Sequence, residues 1–239
     1  MHSYKSLSVF NSLVLLLLMA RATCAFAVVN IDTTRIVFNE KEVAKVFQLK
    51  NSGSSPALVQ LWTDYGDPLS SPDLVKTPVV ALPPVNKMFA NETRSFRLIL
   101  SSRQSLKRNE ESLYWLNIYQ IPVMPDSAEQ PEQMLVLPLR IRIKVFVRPK
   151  GISAPTHDDY KKINFRIQDG RLVIENPLPW FITMNVRTNY KEIKNNIMLP
   201  PLSDTPLAEA KNVRNGDVIN YQVIDDLGNT LDYEKRTEN

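Results

Sequence analysis

The sequence has few side chains that could serve as metal ligands, nucleophiles or general bases. It holds two histidines, His2 and His157, and one cysteine, Cys24. A zinc site usually needs several histidine or cysteine ligands at characteristic spacings, and a hydrolytic triad needs a histidine beside its nucleophile. The segment HDD, residues 157–159, could attract a cation, but adjacent loop residues do not easily point at one centre, and we interpret it as a solvated loop. No glycine-rich phosphate loop of the form GxGxxG, or GxxxxGK followed by Ser or Thr, is present. The residue types therefore argue against an enzyme and predict no cofactor and no bound metal.

A more distinctive pattern lies in the segment LVLPLRIRIKVFVRP, residues 135–149. Every second side chain is apolar, which predicts a β-strand; these side chains are Leu135, Leu137, Leu139, Ile141, Ile143, Val145 and Val147. Such a segment would span roughly 50 Å at about 3.3 Å per residue, whereas ordinary strands have about 5–6 residues. Pro138 cannot donate a hydrogen bond, so the strand is predicted to lie at the edge of a sheet.

The other face of this predicted strand is basic, with Arg140, Arg142, Lys144 and Arg148. We interpret Arg140 and Arg142 as a solvated sheet face. Lys144 and Arg148 stand at the end of the strand, beside a predicted hinge, and ligands often bind in clefts between domains. A cation in a partly dry cleft holds an anion more strongly than one on an open surface. Lys144 is therefore either an anion ligand or a solvated strand end.

The first 27 residues have the pattern of a secretory signal peptide. Lys5 precedes the apolar block Leu13–Ala20, and the sequence CAFA ends at Ala27. The block is too short for a transmembrane helix, which needs about 20 residues. A lipid anchor at Cys24 is the less favoured alternative, because the residues before it suit such a site poorly. We predict cleavage after Ala27, export, and a mature chain that contains no disulfide.

Composition narrows the choice of partners. The chain has 29 basic and 25 acidic residues, and two of the basic ones, Lys5 and Arg21, belong to the predicted signal peptide. The mature chain is therefore nearly neutral, and it has no basic block that would indicate nucleic-acid binding. A hydrophobic content of 44% is enough for ordinary cores and argues against disorder.

The mature chain has a β pattern throughout, with apolar runs separated by turn-forming residues. We predict strands in the first part over residues 28–38, 43–51, 57–65, 94–101, 112–121 and 135–147, a number that suits an immunoglobulin-like sandwich. The segment RPKGISAP, residues 148–155, predicts a domain boundary. Shorter strands beyond it predict a second, smaller β-sandwich, with no convincing helix and a frayed tail, KRTEN. The predicted units are a signal peptide (1–27), an N-terminal domain (28–149) and a C-terminal domain (150–239).

Four segments carry a resemblance to a known family: NEESLYWLNIYQIP (109–122), LRIRIKVFVRP (139–149), IDTTRIVF (31–38) and LVIENPLPWFITM (172–184). Together they resemble the periplasmic chaperones of the chaperone–usher pilus pathway. The first is similar to the signature around the family's sixth strand, and the others to its seventh strand, its first strand and a paired-strand motif of its second domain. Val123 stands where the family often has proline. The moderate loop after the signature, without a disulfide, resembles the short-loop group that serves rod-like pili.

The resemblance implies a fold and a mechanism. The fold would be all-β, with two immunoglobulin-like β-sandwich domains in an L or boomerang arrangement. A pilus subunit of this pathway lacks the last strand of its own sandwich. The chaperone would insert its edge strand into the open groove, which is donor-strand complementation. It would thereby bind, fold and cap the subunit before delivery to an outer-membrane usher.

The resemblance also assigns roles to three sets of residues. The donor strand would present alternate apolar side chains to the subunit, namely Leu135, Leu137, Leu139 and Ile141. Arg35 and Lys144 would bind the carboxylate at the C-terminus of the subunit, where two charge-assisted hydrogen bonds fix the register as well as adding affinity. An interdomain charge cluster of Glu111, Arg148 and Asp226 would hold the angle between the domains.

Two other classes of function remain as alternatives. One is a secreted two-domain immunoglobulin-like adhesin or structural pilus component, and the other is a hydrolase built on a β-sandwich. The hydrolase is disfavoured because no nucleophile–base pair can be assigned. The chaperone hypothesis predicts a periplasmic protein that binds pilus subunits in 1:1 complexes and an usher, without nucleic-acid binding or membrane insertion. It also predicts that the free protein covers its edge strand by self-association.

Overall fold

The computed structural model describes residues 29–123, 137–188, 191–208, 210 and 213–238, with the side chains of residues 191 and 192 left outside that range. Its elements are β-strands apart from one short helix. The first domain contains β1 (Val29–Ile31), β2 (Arg35–Phe38), β3 (Ala44–Asn51), β4 (Ala57–Asp64), β5 (Val79–Leu82), β6 (Val85–Met88), β7 (Thr93–Leu100), β8 (Ser112–Pro122) and β9 (Leu139–Val147). The second contains α1 (His157–Tyr160), β10 (Asn164–Gln168), β11 (Arg171–Asn176), β12 (Ile182–Thr188), β13 (Lys191–Leu199), β14 (Ser203–Leu207), β15 (Val218–Ile224) and β16 (Thr230–Arg236).

The first domain is a sandwich of two sheets. Their strand orders are β1-β3-β7-β5 and β2-β9-β8-β4-β6. Successive side chains of a strand point to opposite faces, so β3 buries Phe47 and Leu49 while β7 buries Phe96 and Leu98. Phe47 and Phe96 stack with their ring centroids 5.8 Å apart. The apolar face of each sheet thus closes against the other to form one core.

The second domain is a separate sandwich with its own core. Its sheets have the orders β10-β11-β14 and β13-β12-β15-β16. Tyr221 lies between Phe165 and Tyr233, with ring centroids 5.1 and 5.3 Å away. The predicted fold class, all-β with two immunoglobulin-like sandwich domains, is confirmed.

The segment 28–38 is not the single strand that the alternation predicted. β1 pairs antiparallel with β3, whereas β2 pairs parallel with β9 in the opposite sheet. Between them Asp32 Oδ1 accepts the backbone N–H of Gln48 at 3.2 Å, and Thr33 Oγ1 donates to the Arg35 carbonyl at 2.7 Å. These side chains form hydrogen bonds with backbone groups that would otherwise pair with a neighbouring strand if β1 and β2 were one continuous strand. The chain therefore crosses from one sheet to the other at residues 32–34.

Some short elements were not predicted. They are β5, β6 and β14, each of four or five residues, and the helical turn α1. Residues 157–159, which we predicted as a solvated loop, lie in α1, where Thr156 and Asp159 form a capping box. His157 and Asp158 are nevertheless exposed, so the solvated part of that interpretation is correct.

The described part of the predicted frayed tail, residues 235–238, is paired rather than frayed. The N–H of Glu238 donates to the Phe165 carbonyl at 2.8 Å, and the N–H of Ile167 donates back to Glu238 at 3.4 Å. Thr237 is buried. Residues 237 and 238 therefore extend the sheet beside β10.

The long predicted strand over 135–147 is shorter where the structure describes it. β9 has nine residues and begins at Leu139, while Leu137 and Pro138 precede it outside any strand. Leu135 lies outside the described residues, as does the predicted signal peptide, residues 1–27. Across the described part of the chain, no helix has the length and apolar character needed to cross a membrane.

Candidate functional site

The first-domain sheet brings Arg35 beside Lys144. β2 runs parallel to β9, and these two residues are partners at the first position of that pairing. Both side chains lie on the outer face of the sheet, since their successors Ile36 and Val145 point into the core. Because β2 begins at Arg35, the edge of β9 from Leu139 to Ile143 has no neighbouring strand among the described residues.

The second domain contacts both cations. Lys144 Nζ donates to Thr183 Oγ1 at 3.0 Å, and Arg35 Nη1 donates to the Ile224 carbonyl at 3.0 Å. Thr183 belongs to β12 and Ile224 to β15, which are neighbouring strands of one sheet. Arg35 and Lys144 therefore lie in the cleft between the domains.

The cleft disfavours the charge on Lys144. Burial lowers the pKa of its ammonium to about 8, and the nearby Arg35 guanidinium acts in the same direction. Burial also lowers the pKa of Arg35, against the opposing effect of Asp226. The Nε of Arg35 is buried and, within the described ranges, has no hydrogen-bond partner. Two half-buried cations side by side form a site that an anion would stabilise.

The prediction that Arg140 and Arg142 form a solvated face is wrong. Their side chains are only 22% and 19% exposed. The guanidinium of Arg140 lies 4.6 Å from the ring centroid of Trp62, and that of Arg142 lies 5.0 Å from the centroid of Trp115. Arg142 also forms an ion pair of 2.7 Å with the buried Asp64. The aromatic faces and the buried carboxylate compensate these arginines for lost water.

Arg148 joins the two domains at the hinge. It is buried, and it donates from Nε to Glu111 Oε1 at 3.0 Å and from Nη2 to Asp226 Oδ1 at 2.7 Å. Glu111 Oε2 accepts the backbone N–H of Phe181, in the second domain, at 3.0 Å. Burial raises the pKa of Glu111 to about 7, although the Arg148 guanidinium opposes that shift. Glu111, Arg148 and Asp226 thus form one connected group between the domains.

The predicted donor side chains lie where β9 leaves the sandwich. Leu137 is 69% exposed and Leu139 is 43% exposed. Ile141 is partly buried against the first-domain core, and Ile143 is fully part of it. From Ile143 back to Leu137, the first described residue of this segment, the apolar side chains thus become progressively more exposed.

Sequence reasoning missed three polar residues of this region. Thr183 is 1% exposed and accepts the hydrogen bond from Lys144. Asp64 and Asn117 are both fully buried, although they lie on the outer face of the sheet. Strand alternation could have put Asp64 and Asn117 on that face. Their partners depend on the pairing of β4, β8 and β9, which alternation does not reveal.

Comparisons with known proteins identify the family to which this chain belongs. The family described as pili and flagellar-assembly chaperone, PapD N-terminal domain, matches residues 28–153. The family described as pili assembly chaperone PapD, C-terminal domain, matches residues 158–235. The chain therefore belongs to the pili assembly chaperone family, and the resemblance seen in the sequence is confirmed.

Individual relatives agree with that assignment. The chain is 32% identical over 213 residues to the chaperone protein HifB of Haemophilus influenzae, covering 87% of this chain and 88% of the relative. It is 30% identical over 204 residues to the chaperone protein MrkB of Klebsiella pneumoniae, covering 83% and 86%. Among solved structures, the Salmonella enterica SafA pilin in complex with the SafB chaperone has a similar fold, with a TM-score of 0.76, 22% identity, and coverage of 90% of this chain and 98% of that chain.

Proposed function

We propose that the chain is a periplasmic chaperone that binds pilus subunits in 1:1 complexes, folds and caps them by donor-strand complementation, and delivers them to an outer-membrane usher. Its family and its relatives named as chaperone proteins support this class of function. The similar fold of a chaperone solved together with a pilin supports the kind of partner. This role needs no catalysis and no cofactor.

The observation that carries the proposal is the open edge of β9, which ends at two cations. A strand added to this edge would lie end to end with β2, which occupies the same edge from Arg35 onward. Because β2 is parallel to β9, an added strand that is also parallel would have its carboxyl terminus facing Arg35 and Lys144. An antiparallel strand would have that terminus near Leu139, far from both cations. The site therefore favours a parallel strand that stops at its own C-terminus.

The two cations would bind the terminal carboxylate of the subunit. Arg35 is a half-buried guanidinium, and Lys144 is a half-buried ammonium whose charge is disfavoured in the free cleft. A carboxylate would supply charge-assisted hydrogen bonds to both groups. This anchor would also set the register, since a slip of one residue turns every side chain of the added strand to the other face.

The apolar row of β9 would fill the groove of the subunit. Main-chain hydrogen bonds along the edge give affinity, and alternate side chains occupy the pockets of the missing strand. We propose Leu135, Leu137, Leu139 and Ile141 for these pockets. Full burial of one such side chain is worth about 1.5–3 kcal/mol, less the cost of ordering the chain on binding.

The hinge cluster has a different proposed role, which is to hold the two domains at a fixed angle. Removing one partner of a buried ion pair leaves an uncompensated charge, so Glu111, Arg148 and Asp226 would stabilise a single arrangement of the domains. That arrangement keeps Thr183 against Lys144 and so keeps the cleft formed. We also propose the chain units given above: a signal peptide (1–27) and domains 28–149 and 150–239.

The exposed edge of β9 is a hazard for the free protein, because unpaired edges promote association. We propose that the chaperone covers this edge by self-association until a subunit arrives. Size-exclusion chromatography over a range of concentrations checks this point, and monomer at every concentration would contradict it. An adhesin or structural pilus component is less well supported, since the family and the relatives are chaperones.

The decisive experiment is a calorimetric titration of residues 28–239 with a synthetic peptide that copies the C-terminal strand of a candidate pilus subunit. The peptide is used with a free carboxylate and again amidated, against the wild type and Lys144→Ala. We expect binding only when the free carboxylate meets the wild-type cleft. Equal binding in all four combinations would contradict carboxylate anchoring.

A matched variant separates the anchor from general charge. Arg166 lies in the second domain and forms an ion pair with Asp204 on β14. Arg166→Ala removes one cation, as Lys144→Ala does, but far from the cleft. It should bind the free-carboxylate peptide as the wild type does, with unchanged circular dichroism for both variants.

A further inference from the structure

Four side chains on the outer face of the first-domain sheet form one hydrogen-bonded network, Asp64, Asn117, Arg140 and Arg142. Asn117 Oδ1 accepts from Nε of Arg140 at 2.8 Å and from Nε of Arg142 at 3.0 Å. Asn117 Nδ2 donates to Asp64 Oδ2 at 2.6 Å. Asp64 also accepts from Nη2 of Arg142 at 2.7 Å and, more distantly, from Nη2 of Arg140 at 3.5 Å. One buried amide and one buried carboxylate thus hold both arginines of β9. We name these four residues the clamp.

The clamp extends to the loop that follows β4. Arg140 Nη1 donates to the Pro68 carbonyl at 2.6 Å, and its Nη2 donates to Ser70 Oγ at 3.2 Å. Ser70 Oγ in turn donates to Asp64 Oδ2 at 2.8 Å. The planar guanidinium of Arg140 is therefore fixed by several acceptors and by the ring of Trp62 below it.

The charge of Asp64 is maintained in this buried position. Burial opposes its ionisation, but hydrogen bonds from Asn117 and Ser70 and from the N–H of Gly66, together with the charge of Arg142, lower its pKa. The carboxylate thus remains a permanent acceptor at the centre of the clamp.

The clamp holds the part of β9 that has the fewest contacts with the hydrophobic core, where Ile141 is only partly buried. Leu139 is 43% exposed, and only from Ile143 onward are the inward side chains of β9 buried. An edge segment with so few buried contacts is expected to open locally. Arg140 sits between Leu139 and Ile141 and points to the opposite face, so fixing its side chain fixes the direction in which both neighbours point.

We propose that Asp64 and Asn117 are positioning residues for subunit binding, which hold the exposed half of β9 extended, with Leu139 turned to the subunit side, before a subunit arrives. This inference rests on the proposed function above. If this segment were disordered in the free protein, ordering it would cost conformational entropy and would weaken subunit binding. A strand that is already ordered avoids that loss, so the clamp acts through Arg140 and Arg142 without touching the subunit.

The first test measures the free protein, by amide hydrogen exchange of wild type and Asn117→Ala. We expect the amides of Leu139 and Ile141, which face β8, to exchange about tenfold faster in the variant, while the amides of β12 in the second domain are unchanged. The matched control is Asn51→Ala. Asn51 is also fully buried in the first domain, but its side chain bonds to the carbonyls of Ser55, Met88 and Phe89, away from β9. Unchanged exchange at Leu139 and Ile141 in Asn117→Ala, or equal acceleration in Asn51→Ala, would overturn the proposal.

The second test compares two peptides with the same C-terminal carboxylate, taken from a candidate pilus subunit. One has about ten residues and, at about 3.3 Å per residue, reaches past Leu139; the other has about two and covers only about 7 Å of the edge beside the cations. We expect Asn117→Ala to weaken the long peptide about tenfold and to leave the short one within about twofold, measured by NMR titration. Equal weakening of both peptides would mean a general structural defect and would overturn the positioning role. Failure of both peptides to bind the wild type would instead contradict the proposed function, while the exchange experiment still decides whether the clamp orders β9.

Discussion

Binding of a carboxylate beside Lys144 should weaken as the pH rises through about 8. Burial, with the charge of Arg35, lowers the pKa of Lys144 to about 8, so the free cleft loses one of its two cations in a range where most lysines stay charged. Arg35 keeps its charge there, because an arginine does not deprotonate at such pH values. The carboxylate prefers the protonated lysine, so peptide binding and proton binding are linked. The same shift has the opposite sign for folding: the unfolded chain binds more protons between pH 8 and 10.5, so this group adds stability to the free protein as the pH rises through that range.

The size of the effect follows from the fraction of charged lysine. At pH 9.5 a group with a pKa of about 8 is roughly 3% protonated, which predicts a Kd about 30-fold higher, or about 2 kcal/mol. A hydrogen bond to a charged group contributes about 1.5–3 kcal/mol, so the loss of that bond accounts for an effect of this size. Below about pH 7 the affinity should be constant, since the lysine is then almost fully charged.

Isothermal titration calorimetry with an N-acetylated peptide measures this dependence between about pH 6.5 and 9.5. Two buffers with different ionisation enthalpies report the uptake of about one proton per peptide at the upper end. Lys144→Arg is the control, because its charge persists and its Kd should stay flat over the range. The reasoning fails if the wild type is equally flat, or if Lys144→Arg weakens in the same way.

The remaining predictions concern the hinge, the donor strand and the cleft. Arg148→Met should lower the free energy of unfolding by about 3–5 kcal/mol in urea denaturation, because it leaves Glu111 buried without its cation. The surface variant Arg166→Met should lose less than about 1 kcal/mol. Equal losses in the two variants would argue against a stabilising hinge cluster. Leu139→Ser should weaken binding of the long peptide by about 1.5–3 kcal/mol and leave the urea midpoint unchanged, since the side chain is 43% exposed in the free protein; a shifted midpoint would indicate a role in the free fold instead. Thr183→Val removes the hydrogen-bond acceptor of the Lys144 ammonium, which should lower the pKa of that lysine further. The affinity of the peptide should therefore begin to fall below pH 8. If calorimetry shows the same pH dependence of the affinity as in the wild type, Thr183 makes no such contribution.

Much of the fold could be predicted because most strands bury alternate side chains and end at turn-forming residues. β3, β4, β7 and β8 were all predicted within a residue or so for this reason. The pattern failed for β5, β6 and β14, which are too short for a period of two to stand out. It also failed at residues 32–34, where Asp32 and Thr33 bond to backbone groups and let the chain change sheets.

The candidate site was harder to predict, because its geometry depends on pairings distant in sequence. The sequence alone indicates Lys144 as one possible anion ligand, and only the resemblance pairs it with Arg35, since the parallel register that joins them spans most of the first domain. Alternation predicts a solvated face for Arg140 and Arg142, and this is wrong because Asp64, which pairs with Arg142, lies 78 residues earlier in the chain. Local alternation gives the face on which a charged side chain lies, but not the partner that allows it to be buried.

Because β2 begins at Arg35, the open edge of β9 ends at a fixed position beside Lys144. The position of each residue of a bound strand along β9 would then depend only on how many residues separate it from its C-terminus, at about 3.3 Å per residue. Every subunit whose apolar residues fall at the same distances from its C-terminus would then fit the same edge. Under the proposed function, one chaperone of this kind would serve a set of subunits that differ in sequence, and a strand that continued past the required end would clash with β2.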